Sequence, residues 1–70
     1  MSSTGIVKSY NETTGFGVIT CDDGGPELLV HVSAVARAGL ETLHPGQRLS
    51  FEFHIDFKRN RIFANNLRLL

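Results

Sequence analysis

The segment Arg48-Leu49-Ser50-Phe51-Glu52-Phe53-His54-Ile55 alternates without a break. Leu49, Phe51, Phe53 and Ile55 fall on one side; Arg48, Ser50, Glu52 and His54 fall on the other. A period of two marks a strand with one buried face and one wet face. Pro45-Gly46 precedes the segment and suits a type II turn, with proline setting φ and glycine taking φ > 0. A second strand-like run, Ile62-Phe63-Ala64-Asn65-Asn66-Leu67-Arg68-Leu69, follows a polar turn at residues 58–61. Phe51, Phe53 and Phe63 read as core.

Toward the N-terminus the same signals recur. Residues 5–10, 16–20 and 28–32 suit strands, separated by turn-forming residues at 11–15 and 22–26. Pro26, like Pro45, falls in a turn, where its missing N–H does no harm. Residues 33–37 can form one helical turn, too short to stand alone. The pattern predicts an all-β fold of five antiparallel strands with one long connection at 33–47. Closing such a sheet removes its exposed edges, so the expected architecture is a five-stranded antiparallel OB-type barrel. Ile19, Leu28, Val30, Leu49, Phe51 and Phe53 are its expected core.

Composition narrows the class. Seventy residues make one domain, residues 1–70, with a core that buries only about 60% of the unfolded chain's surface. Cys21 is the single cysteine, so no intrachain disulfide forms and a reducing compartment is expected. No apolar run is long enough to span a membrane, and the first residues lack a signal peptide's basic and apolar regions. The expectation is a soluble cytoplasmic protein with no membrane partner. Net charge is zero, yet all seven acids lie at or before Asp56. Residues 57–70 carry Lys58, Arg59, Arg61 and Arg68 with no acid. A local basic segment can serve a polyanion in a neutral chain.

Residues 8–33 carry the chemistry. In Gly15-Phe16-Gly17-Val18-Ile19, Phe16 and Val18 share one face while Gly17 and Ile19 share the other. In Leu28-Leu29-Val30-His31-Val32, Leu29 and His31 share a face, and Leu28, Val30 and Val32 point the other way. With Ile19, Leu28 and Val30 inside, Phe16, Val18, Leu29 and His31 emerge together outside. Outward ring faces are what unpaired bases stack on. Glycines beside them allow a nucleotide strand to approach closely.

These segments resemble the cold shock domain family. Its first RNA-binding motif, Lys-Gly-Phe-Gly-Phe-Ile, is matched by Thr14-Gly15-Phe16-Gly17-Val18-Ile19, and its second, Val-Phe-Val-His-Phe, by Leu28-Leu29-Val30-His31-Val32. Upstream, Gly5-Ile6-Val7-Lys8-Ser9-Tyr10-Asn11 is similar to Gly-x-Val-Lys-Trp-Phe-Asn. Downstream, residues 33–35, 39–51 and 64–67 keep the family's order and spacing, so the likeness spans residues 5–67. It implies an OB-type barrel that stacks single-stranded RNA or DNA on its first three strands and serves as an RNA chaperone or regulator of gene expression. Carried over position by position, the binding residues are Lys8, Ser9, Phe16, Val18, Leu29 and His31. Lys58 and Arg59 are expected phosphate contacts on a different ground, since the loop between the fourth and fifth strands flanks the binding face in OB-folds.

The chain departs from the family pattern where stacking is concerned. Ser9 stands for a tryptophan, Val18 and Leu29 for phenylalanines, Thr14 for a lysine and Leu40 for a loop phenylalanine. Aliphatic side chains keep apolar contact and lose the π-face, so weaker binding than in an aromatic-rich relative is expected. The competing reading is a protein-interaction module, since an exposed apolar patch also marks partner surfaces. A symmetric or strand-exchanged homodimer would bury it. No enzyme is expected. His31, His44, His54 and Cys21 lack metal-ligand spacing, and residues 22–25 lack the further ligands of a calcium loop. No glycine-rich phosphate loop or nucleophile–base pair is evident. No catalytic residue, metal or cofactor is expected.

Overall fold

The computed structural model describes residues 2–70. In chain order these form β1 (Ser2–Asn11), β2 (Phe16–Cys21), β3 (Leu28–His31), α1 (Val32–Arg37), β4 (Arg48–Asp56) and β5 (Arg61–Leu69). The strands close into a barrel in the order β1-β2-β3-β5-β4. The all-β barrel matches the sequence expectation, with one correction. Four of the pairings are antiparallel, whereas β3 and β5 run parallel through Leu29↔Phe63 and Val30↔Ala64. Directions cannot alternate all the way round a ring with an odd number of strands. One parallel pair is obligatory, and the long connection carrying α1 is what lets β3 and β5 meet that way.

The interior is built from alternating positions of every strand. Val7, Ile19, Val30, Leu49 and Phe51 are at most 1% exposed, joined by Leu28, Ala64 and Leu67. Val35 on α1 and Leu43 in the connection are also buried, so the long loop is anchored in the core. The turn before β4 has the expected geometry. Gly46 adopts φ 90°, and the Gln47 N–H donates to the His44 carbonyl at 3.1 Å. Gly46 also donates to Val7 O at 2.8 Å, while Val7 N–H donates to Gln47 O at 2.9 Å, which ties the turn to β1.

Two core expectations, Phe53 and Phe63, and two inward-facing ones, Ile55 and Val32, need correction. Phe53 is only half-buried, Ile55 is 49% exposed, and Phe63 lies on the outer face. The pairing of β1 with β4 reaches Ser2↔Glu52, and β3 meets β5 only at Phe63 and Ala64. Beyond those points β4 and β5 continue as a two-stranded hairpin, where Phe53 and Ile62 still lie against the edge of the core and Ile55 is left open. Val32, expected to face inward on a strand, is 41% exposed because β3 stops at His31 and α1 begins.

Candidate nucleic-acid interface

The outer face of β1–β3 is aligned by register. Asn11 pairs with Phe16 and Phe16 with His31; two residues along, Ser9 pairs with Val18 and Val18 with Leu29. Ser9 reaches this face through a bulge. Val7 pairs with Ile19 and Ser9 with Val18, leaving Lys8 as the extra residue. A bulge resets alternation, so Lys8 and Ser9 are both exposed while Val7 and Tyr10 turn inward.

Phe16 is 39% exposed on β2, and its ring meets that of His31 edge-on, with centroids 5.0 Å apart and planes at 62°. Such pairs favour the edge-to-face arrangement because the ring edge is positive and the face negative. His31 is also the N-cap of α1. Its Nδ1 accepts from the Ser33 N–H at 3.2 Å and lies 2.9 Å from Ser33 Oγ. A backbone N–H can only donate, so Nδ1 is the acceptor and the neutral ring carries its proton on Nε2. The cap fixes the imidazole plane beside Phe16. From the sequence His31 is a contact residue or a strand-end polar residue; the capping role lies outside both.

Gly17 is explained by the interior. A Cβ there would lie 2.8 Å from Tyr10 Cδ1, 2.9 Å from Ser9 O and 3.0 Å from Val30 Cγ1. The glycine lets Tyr10 pack beneath β2; it does not open the outer face. Gly15 adopts φ 77° in the turn before β2, and its carbonyl accepts the Val32 N–H at 2.8 Å, holding the end of β3 against the start of β2.

The basic side chains differ in their availability. Lys8 Nζ lies 2.8 Å from Glu27 Oε2, with both side chains exposed. An exposed pair of this kind is weak and easily exchanged, and the three donors of the ammonium let Lys8 meet a phosphate beside Glu27 or in its place. Lys58 forms no ion pair among the described residues, and Arg59 approaches Asp56 at 3.8 Å. The hairpin borders the apolar face. Asn60 and Arg61 line, with Val18, Leu29, Pro26 and Glu27, an open cleft of about 320 Å³. Phe57, at the hairpin tip beside Lys58, is 86% exposed and was not singled out from the sequence. Its signal is an aromatic inside a charged turn, where no core is within reach. Among the described residues, no three of His, Cys, Asp and Glu gather where a metal ion could be held. No helix among the described residues is long and apolar enough to cross a membrane.

A five-stranded barrel with a short helix after β3 and an exposed phenylalanine–histidine pair on its outer face defines an OB-type fold with a candidate stacking surface. Residues 3–70 match the family described as the 'Cold-shock' DNA-binding domain. The chain is 48% identical over 68 residues to a probable cold shock protein of Sinorhizobium fredii, covering 97% of this chain and 99% of that protein. It is 44% identical over 66 residues to a cold shock protein of Rhizobium meliloti, covering 94% and 96%. A cold shock-like protein of Escherichia coli is 50% identical over 48 residues, covering 69% and 70%. The chain belongs to the cold shock domain family.

Proposed function

We infer that the chain binds single-stranded RNA or DNA on the outer face of β1–β3 and acts as an RNA chaperone or regulator of gene expression. The observation that carries this reading is the Phe16–His31 pair, exposed, with the His31 ring oriented by the α1 cap. Phe16 and His31 offer stacking surfaces to successive bases. Val18 and Leu29 extend the contact with apolar surface, and Ser9 leaves room at the β1 side. Lys8, Lys58 and Arg59 meet phosphates along the edges. Affinity is lower than in a relative with aromatic residues at 9, 18 and 29, because each stacked base is worth about 1–3 kcal/mol.

The test is fluorescence titration of a pyrimidine-rich oligonucleotide, single-stranded and as a duplex, at low and high salt. Preference for the single strand, steep weakening with salt and loss on Phe16→Ala are expected. A second reading, in which the face pairs with a protein or with another copy of the chain, draws on the aliphatic character of Val18 and Leu29. Salt-insensitive self-association by sedimentation, without oligonucleotide binding, selects that reading and rejects the first.

A further inference from the structure

A second aromatic pair lies on the same outer surface, beyond the first three strands. The rings of His54 on β4 and Phe63 on β5 are stacked, with centroids 5.8 Å apart and planes at 22°. His54 is held in place, its Nδ1 3.1 Å from the Asn65 amide nitrogen. Register connects this pair to the face already described. Val18 pairs with Leu29, Leu29 with Phe63, and Phe63 with His54. Side chains paired across neighbouring strands share a face about 5 Å apart. The outer surface therefore carries an unbroken stripe over four strands, aliphatic at Val18 and Leu29 and aromatic at Phe63 and His54.

Charge indicates what the stripe receives. The hairpin beyond it bears Lys58, Arg59 and Arg61, and no acid occurs after Asp56. Arg61 shares the cleft with Val18, Leu29 and the acidic Glu27, and Glu27 has Lys8 as its partner, so Arg61 and the stripe are contiguous. A second copy docking through a twofold axis would bring two copies of this basic hairpin into one interface, since an isologous interface uses the same surface of both subunits. A polyanion with flat faces suits both features.

We propose that His54 and Phe63, with Arg61 two residues before Phe63 on β5, form a second stacking site that receives the continuation of a single nucleic-acid strand leaving Phe16 and His31 across Leu29. This rests on β1–β3 being a nucleic-acid face. The replacements that thin the first platform are then partly offset on β4 and β5, and the binding site is longer than three strands provide.

Two oligonucleotides separate this proposal from the reading beneath it, one about four nucleotides long and one about eight, within the range that single OB folds cover. The wild-type protein binds the longer one more tightly. His54→Ala combined with Phe63→Thr removes that gain, about five-fold to a hundred-fold for one lost stacked base, and leaves the shorter oligonucleotide unaffected. Phe16→Ala weakens both. If the double variant binds the longer strand as wild type does, the second site is wrong and the first stands. If wild type binds neither, both fall. Resonance shifts of the Phe63 and His54 rings in the wild-type protein provide a readout that needs no variant. Rings that respond only to the longer strand support the site, and rings silent with both overturn it. Variants that change sedimentation without changing titration identify an interface between copies and overturn it as well.

Discussion

His31 performs two tasks through different atoms, and substitution can separate them. Nδ1 caps α1 through Ser33, while the ring plane lies edge-on to Phe16 at 5.0 Å. Alanine removes both. Asparagine, among the best N-cap residues, restores an acceptor for the Ser33 N–H and offers no ring. Phenylalanine keeps a ring and loses the acceptor. The cap is worth about 1 kcal/mol, or about 4–8 °C in Tm for a domain of this size. The ring is worth about 1–3 kcal/mol of binding if a base stacks on it, which is about five-fold to a hundred-fold in Kd. His31→Asn is therefore expected to melt near wild type and bind weakly. His31→Phe should melt several degrees lower and keep most of its affinity, and His31→Ala should show both defects. Thermal melts followed by circular dichroism, and fluorescence titration below the lowest Tm, measure the two axes independently. If His31→Asn melts with the alanine variant and binds with wild type, the division of labour drawn from the geometry is wrong.

The parts of the fold legible in the sequence are those where one strand face meets the core and the other meets water. β4 is the clearest: Leu49 and Phe51 are where alternation puts them. Alternation states which side a residue faces and is silent on whether anything covers that side. Hence Phe53 and Ile55 lie on the inner side of a hairpin that outruns its neighbours. Phe63 fails for a different reason. In Ile62-Phe63-Ala64 both faces are apolar, so only register can choose, and register is set by the partner strands, β4 through His54↔Phe63 and Phe53↔Ala64 and β3 through Leu29↔Phe63. A second irregularity hides it further. Ala64 and Leu67 both point inward although three residues apart, because pairing with β4 shifts near Asn66, which adopts φ 50°. The outward set Phe16, Val18, Leu29 and His31 was legible because two short strands alternate cleanly. The bulge at Lys8 and the cap at His31 were not, since each depends on a partner outside its own strand.

Gly17→Ala forces a methyl against Ser9 O and Tyr10; overpacking of this kind costs about 1–3 kcal/mol, and a melt within a degree of wild type would show that β2 yields freely. Val18→Phe with Leu29→Phe puts two rings on the outer face beside Phe16 and should tighten titration of a pyrimidine-rich strand by at least about five-fold, the factor for one gained stack; no gain would mean that bases do not lie there. Burial, with Asp23 and then Asp22 nearby, raises the Cys21 thiol above its ordinary pKa. Alkylation near neutral pH should therefore be slower in the folded protein than in denaturant, and equal rates would contradict this. The salt dependence tests the hairpin cations. For single strands, log K falls with log salt at a slope of about 0.7 per phosphate contact. Lys58 has no ion-pair partner among the described residues, whereas Asp56, 3.8 Å from Arg59, offsets part of that residue's charge. Lys58→Ala should therefore flatten the slope by about 0.7, and Lys58→Ala with Arg59→Ala by up to about twice that. Arg68→Ala removes the same charge from residues near Ser50, its partner on β4, and shares no part of the cleft beside Val18 and Leu29. It should leave the slope nearly unchanged. Equal flattening by Arg68→Ala would mean that the strand responds to overall charge, and that the hairpin cations make no particular contact with it.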